Sequence, residues 1–305
     1  MSKVYDILII GGGPAGYTAA LYGARSGFAT AVLEKLSPGG QMATTSDVEN
    51  YPGFPGVVDG FELGERMQEG AEKAGAETFF AEVSKVDLLA DPKVVETSEG
   101  TFLGRTVILA TGAHPRKLGI PQEEALVNRG VAYCATCDGN FYKDKVVVVN
   151  GGGNTAVGDA LYLAKLASKV YLVHRRDTLR ATPIYLQRLK DAGVEIIWNS
   201  VVSGLQADKK LTGVELTDVK TGEKRVLPAD GLFVAIGQLP ESSLAAGQVA
   251  TDKAGYIMAG EDTKTSVPGV FAVGDVRTKA VRQIITAAAD GAVAIHYAEE
   301  YLNEK

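Results

Sequence analysis

The sequence predicts an α/β protein of two doubly wound, Rossmann-like domains, one inserted into the other. Three observations predict it. A continuous apolar run, Val4 to Ile10, ends in the turn Gly11-Gly12-Gly13-Pro14-Ala15-Gly16. The same order of strand, glycine turn and small-residue helix returns 140 positions later, from Lys145 through Gly151-Gly152-Gly153-Asn154-Thr155-Ala156. A chain of 305 residues also exceeds what one hydrophobic core ordinarily serves.

Each element follows from its pattern. An unbroken apolar run is what a parallel strand buried on both faces requires. After the first turn, small residues to about Ser26 suit a helix packed close to a sheet, and Ala29 to Leu33 make a second strand ending at Glu34. In the second copy the helix runs to about Ala167, and the strand Val170 to Val173 ends at His174. Val107 to Gly112 is echoed by Phe233 to Gly237, now 125 positions apart, so the first copy carries about 15 extra residues, placed in Pro38 to Pro55. Gly269 to Asp275 reads as a further strand ending in a Gly-Asp turn. The domains expected are 1–117 with 245–305, and 118–244 between them, with Pro115, Pro121 and Pro240 near the crossings.

The bulk numbers exclude several classes. A net charge of -6 and a pI near 5.3 argue against nucleic acid or an anionic membrane as partner. No apolar run approaches the roughly 20 residues of a membrane helix. Met1 runs almost directly into a strand, which leaves no room for a signal peptide. Two cysteines build no disulfide framework, so the expected compartment is the cytoplasm.

The first glycine turn fits a dinucleotide-binding fingerprint. Gly11 allows the tight turn, Gly13 lets backbone approach a pyrophosphate, and Gly16 lets helix and sheet pack closely. The pyrophosphate then rests on helix N–H groups beyond Pro14 and Ala15. Glu34 falls where an acid bonds ribose hydroxyls. In the second copy Ala156 stands third, and no acid follows the strand. The chain reads His174-Arg175-Arg176-Asp177-Thr178-Leu179-Arg180 instead. Guanidinium forks match a 2′-phosphate that a carboxylate would repel. The first site is therefore expected to hold a 2′-hydroxyl cofactor such as FAD, and the second, with Gly153, Asn154 and Thr155, NADPH. The bland alternative for the arginines is a solvated basic face.

Cys134-Ala135-Thr136-Cys137-Asp138 lies between the two fingerprints and holds the only cysteines. Zinc needs four ligands, and three scattered histidines (His114, His174, His296) supply no second pair, so no metal is expected. An inert buried pair stays open. A redox pair explains more: the spacing lets two sulfurs bridge a helical turn, and a helix start lowers a thiolate pKa. Asp138 could donate and withdraw a proton as the pair opens and closes, or merely cap a helix.

Together these motifs resemble the low-molecular-weight, bacterial-type thioredoxin reductases of the class II pyridine nucleotide-disulfide oxidoreductases. The resemblance also takes in Gly39-Gly40-Gln41, Val48-Glu49-Asn50-Tyr51-Pro52-Gly53, Ala110-Thr111-Gly112, Gly274-Asp275-Val276 and Arg282-Gln283-Ile284, and spans essentially the whole chain. It implies FAD in the discontinuous domain, with contacts from Glu34, Gly40, Gln41, Asn50, Val83, Ala110, Gly112, Asp275, Arg282, Gln283 and Ile284. It implies NADPH in the inserted one, with Ile236 and Gly237 added to the loop and the arginines. It also implies Cys137 facing the flavin, Cys134 attacking thioredoxin, docking near Arg129 and Phe141, a homodimer, and an inserted domain that swings to present NADPH and disulfide in turn. Asn150, Gly158, Asp159 and Asn140 depart from the family pattern and leave coenzyme affinity and partner choice open. The competing reading keeps the fold and changes the acceptor to another small redox protein or a small-molecule dithiol. A non-catalytic NADPH-sensing flavoprotein would not need the thiols.

Overall fold

The structure, a computed structural model, describes residues 3–45, 47–180 and 184–304. The chain forms two compact units, 1–114 with 239–305 and 115–238.

The first unit opens with strand β1 (Val4–Ile10), helix α1 (Pro14–Arg25) and strand β2 (Thr30–Glu34). Helix α2 (Gly60–Lys73) starts where Asp59 caps it, accepting from the Phe61 and Glu62 N–H groups at 2.9 Å each. Strands β3 (Glu77–Phe80), β4 (Val83–Asp87), β5 (Lys93–Thr97) and β6 (Gly100–Leu109) follow. The sheet runs β3-β2-β1-β6-β5-β4, parallel through β6 and antiparallel beyond it. Alternation along β1 fills both faces. Ile7 and Ile9 pack with α1 residues such as Ala19 and Ala20, and Leu8 and Ile10 pack with Val249, Ile257 and Val276. The extra length of this copy lies between β2 and α2, where Met42, Val48, Val58 and Leu63 make a small core of their own.

The chain leaves and re-enters this unit through two short paired strands. Strand β7 (Ala113–Pro115) carries it out. The second unit begins with β8 (Val131–Ala132), the single turn α3 (Ala135–Asp138), β9 (Val146–Gly151), α4 (Asn154–Leu163) and β10 (Lys169–Val173). Then come α5 (Ile184–Asp191), β11 (Glu195–Ile197), the strands β12 (Ser200–Ala207), β13 (Leu211–Asp218) and β14 (Lys224–Pro228), and β15 (Gly231–Ala235). The order β11-β10-β9-β15 repeats β3-β2-β1-β6, so the internal repeat is real, and β8 is added beyond β15. Val147 and Val149 of β9 pack against α4. Val148 faces the antiparallel sheet β12-β13-β14 through Val202, Leu205, Val214 and Leu216.

Strand β16 (Gln238–Pro240), paired with β7, returns the chain. The crossings fall at 114–115 and 238–239, short of the 117–118 and 244–245 read from the sequence. Packing and pairing explain the difference: Arg116 N donates to Gly237 O at 2.9 Å within the second unit, and Leu244 packs on the first unit's core. Strand β17 (Val270–Ala272) then adds to β6, and the long helix α6 (Ile284–Asn303) lies on α1. Small residues set that approach: a Cβ at Gly291 would stand 2.3 Å from Ala15 O.

Candidate active site

In the first unit the glycine turn is shaped by what no side chain could occupy. Gly11 adopts φ +108°, and a Cβ there would lie 2.5 Å from Ala110 O. A Cβ at Gly16 would lie 1.9 Å from Gly11 O. At Gly13 the nearest atom to such a Cβ is 4.0 Å away, so this side of the loop is open, and α1 starts here with no side-chain cap on its first N–H groups. Glu34 braces the turn, accepting from Gly12 N at 2.7 Å and Leu36 N at 3.1 Å.

The other expected flavin residues belong to the same unit. Gln41 donates to Ala113 O, Asn50 donates to Gln283 Oε1 at 3.1 Å, and Gly40 takes φ +56°. Ala110 is buried, its N–H bonded to Ile10 O, and Gly112, at φ +75°, accepts from Glu241 N. Val83 packs half-buried on the core, just beyond Ala81, whose N–H donates to Glu34 O at 2.8 Å. Gln283 caps α6 through a reciprocal pair with Thr286, which puts Ile284 at the first helical position.

Asp275 and Arg282 carry buried atoms without partners: Asp275 Oδ1 and Arg282 Nε. Burial pushes the Asp275 carboxyl pKa up. A buried polar atom left unpaired costs about 1–3 kcal/mol, so these two await a polar ligand. The Arg282 guanidinium meanwhile lies 4.2 Å over the Tyr256 ring. Sequence reasoning missed what holds this turn. Asp290 of α6 accepts from Gly274 N at 2.8 Å, from Arg277 at 2.8 and 2.6 Å, and from Lys279 at 2.9 Å. Burial opposes ionisation of Asp290, but the hydrogen bonds from Arg277 and Lys279 outweigh it and its pKa falls below the ordinary value. No spacing rule links Asp290 to the turn; only the return of α6 brings them together.

In the second unit Gly151 and Ala156 repeat the close approach. A Cβ at Gly151 would meet Ala235 O at 2.4 Å and Ala156 Cβ at 2.6 Å, which is why the third position stays small. Gly153 caps α4, with Asn154 and Thr155 exposed on its first turn. Arg175, Arg176 and Arg180 are exposed at the end of β10. Arg180 is tied to the loop by its N–H, 2.8 Å from Gly152 O, and its guanidinium reaches within 3.9 Å of where a Gly153 Cβ would stand. His174, unlike the arginines, is turned inward. Its ring is buried beneath Gly152, where a Cβ would lie 2.2 Å from it, and Nε2 lies 3.1 Å from Thr178 O. Burial, and after it the three arginines, push its pKa down against the pull of Thr178 O. Its ring thus packs under the loop. Ile236 packs half-buried on the core, and Gly237, at φ +111°, accepts from Arg116 N.

The cysteines are joined as a disulfide with Cα atoms 5.3 Å apart. Cys134 caps α3 and its carbonyl accepts from Asp138 N at 3.0 Å. Because α3 is one turn, passing into a 3-10 turn at Gly139–Tyr142, the dipole at Cys134 is weaker than a full helix offers. Gly139 presses on α4, 2.8 Å from Tyr162 by its missing Cβ. This packing half-buries Asp138 and raises its pKa to about 6. Burial raises Asp159, on α4, to about 6 as well, at one of the positions where the sequence departs from the family pattern. Among the described residues no cluster of three or more His, Cys, Asp or Glu could hold a metal, and no helix is long and apolar enough to cross a membrane.

Residues 5–291 match the sequence family described as pyridine nucleotide-disulphide oxidoreductase. The chain belongs to that family. A thioredoxin reductase of Listeria monocytogenes is 45% identical over 304 residues, covering 99% of this chain and 95% of that protein. One from Bacillus subtilis is 44% identical, covering 99% and 96%. The crystal structure of thioredoxin reductase from Streptococcus pyogenes matches with a TM-score of 0.91 at 44% identity, covering all of both chains. Thioredoxin reductases of this oxidoreductase family use FAD and NADPH. The open loop at Gly13 with the unpartnered Asp275 and Arg282 atoms fits FAD, and the arginine-flanked loop at Gly153 fits NADPH.

Asp290→Ala should lower unfolding stability by about 3–5 kcal/mol, because Arg277 and Lys279 would stay buried without their counter-ion. Urea denaturation beside the wild type measures it, and a loss below about 1 kcal/mol would discredit the triad. The depressed pKa gives the sign of the pH effect. This stability is present above the ordinary carboxylate range and is lost as pH falls through the lower folded value.

Proposed function

We propose that this chain is an NADPH-dependent flavoprotein that reduces the disulfide of oxidised thioredoxin through Cys134 and Cys137. The observation that carries the reading is the Cys134–Cys137 disulfide, formed in the same unit as the arginine-flanked glycine loop. When bound, FAD supplies the two-electron chemistry that links the coenzyme to the disulfide.

The chain's own residues do the rest. Glu34, Gly13 and Asp275 would hold the flavin nucleotide, and Arg282 and Gln283 would orient it. Arg175, Arg176 and Arg180 would hold the 2′-phosphate. Two electrons break the Cys134–Cys137 bond and leave two sulfurs to be protonated. Asp138, with its pKa near 6, can hold a proton beside them at neutral pH more readily than an exposed aspartate. The Cys134 sulfur, as thiolate, attacks the substrate disulfide, forms a mixed disulfide and expels one substrate thiolate. Cys137 then attacks the Cys134 sulfur, releases the second thiol and restores the pair. The net change is NADPH, a proton and a disulfide to NADP+ and a dithiol.

Exposed Arg129 and Phe141 flank the redox segment in sequence and are assigned to the docking face. A homodimer and a cytoplasmic site complete the reading. They rest on the resemblance and on a cysteine content spent wholly on the redox pair.

Cys134→Ser should preserve flavin reduction by NADPH, followed anaerobically by absorbance, and abolish thioredoxin reduction; residual thioredoxin turnover would rule out the roles given. Arg175→Ala with Arg180→Ala should cut kcat/KM for NADPH by about 10- to 100-fold, as loss of charge-assisted bonds predicts, with NADH little affected. Equal losses would remove the 2′-phosphate assignment. Asp138→Asn should slow disulfide opening about tenfold or more and erase an ionisation near pH 6 from its pH profile. An unchanged profile assigns the proton elsewhere.

A further inference from the structure

On the second unit, the β12–β13 turn Asp208-Lys209-Lys210, so far given no role, stands beside Arg129 of the assigned docking face over an open cavity of about 590 Å³. Gln122, Ala125, Leu126 and Ala207 line the rest of it. The turn is fixed in place. Leu211 N donates to Arg129 O at 2.9 Å, and a Cβ at Gly130 would strike Leu211 Cβ at 2.2 Å, so only glycine lets the two segments meet. Gly130 also takes φ +126°.

Three cations therefore converge: Arg129, Lys209 and Lys210, all exposed, and among the described residues none of them is in an ion pair. Asp208 is the one carboxylate lining the cavity. The neighbouring acids are engaged elsewhere. Glu123 is buried, accepting from Leu118 N, Gly119 N and Tyr133 Oη, and Glu124 pairs with Lys117. The cluster is continuous with the redox segment: Gly130 leads straight into β8, and Cys134 follows β8 after one residue. Leu232 N, 2.7 Å from Gly130 O, anchors that strand to the sheet.

We propose that the Lys209-Lys210 turn, with Arg129, is an electrostatic docking site for carboxylates on an acidic protein-disulfide substrate. The proposal rests on the reading of function above and specifies which substrates it favours. The charge argument is direct. A chain of net charge -6 repels an acidic partner on the whole, so a locally positive face leading through β8 to the redox segment favours the approach made there. Such exposed cations act on encounter and orientation, and salt screens them with a Debye length of about 10 Å at 0.1 M. Their effect belongs in kcat/KM for the protein substrate and in its salt dependence, not in the reduction of the flavin.

The test uses the FAD-loaded enzyme, NADPH and an oxidised thioredoxin of net negative charge, with kcat/KM measured across ionic strength. Lys209→Glu with Lys210→Glu should lower kcat/KM for thioredoxin roughly tenfold at low salt, through KM, and flatten or reverse the wild-type salt slope. Lys209→Gln with Lys210→Gln should fall between and guards against a folding defect in the reversed variant. Flavin reduction by NADPH, followed anaerobically, should be unchanged in both. Variants with wild-type kcat/KM and wild-type salt slope overturn the proposal alone. So does a raised KM for NADPH with that for thioredoxin unmoved, since the cations would then serve the coenzyme. A wild type that reduces no thioredoxin overturns the functional reading and the docking proposal together.

Discussion

Where α1 meets the first sheet, the Gly16 Cα faces Gly11 O so closely that a single added carbon would stand 1.9 Å from it. Gly11 in turn backs onto Ala110 O, and Gly291 of α6 onto Ala15 O. Three segments distant in sequence thus meet through bare backbone. This contact leaves the outer side of the turn, at Gly13, as open backbone at a helix start. The second unit repeats it with Gly151 against Ala235 O and Ala156. A methyl group at these positions would force helix and sheet apart, and both nucleotide sites would lose their floor.

Upon that shared scaffold, burial and charge make the two copies different. In the first, β2 ends in a carboxylate that braces the loop, and the Asp290 triad holds a turn whose Asp275 Oδ1 is left buried and unpaired. In the second, β10 ends in three exposed arginines above a buried histidine. The same backbone geometry can therefore take two nucleotides of different charge. The second unit also concentrates the cations of an acidic protein, at Arg175, Arg176 and Arg180 and again at Arg129, Lys209 and Lys210. Its half-buried Asp138 shows the complementary effect, since packing of α3 on α4 moves a carboxyl toward neutral pH without any charged partner.

The internal repeat, both glycine turns, the acid-for-arginine exchange and the cysteine pair were legible in the chain, because each is a local pattern with a fixed spacing. The inward turn of His174 was not legible: its place after the strand resembles that of its arginine neighbours, but its ring fills the space beneath Gly152. The domain crossings lie in the paired strands β7 and β16, which Pro115 and Pro240 end, a few residues short of the positions expected from the sequence.

Sequence alone determined the fold class, the two nucleotide loops and the redox pair, since period, glycine placement and strand-end charge are properties of short segments. Tertiary structure decided what depends on distant segments meeting. It put Asp290 on the Gly274 turn, half-buried Asp138 against α4, turned His174 inward, and set a lysine turn beside Arg129, 80 residues earlier in the chain. Burial and long-range electrostatics are set by packing, and packing is not written in any window of neighbouring residues.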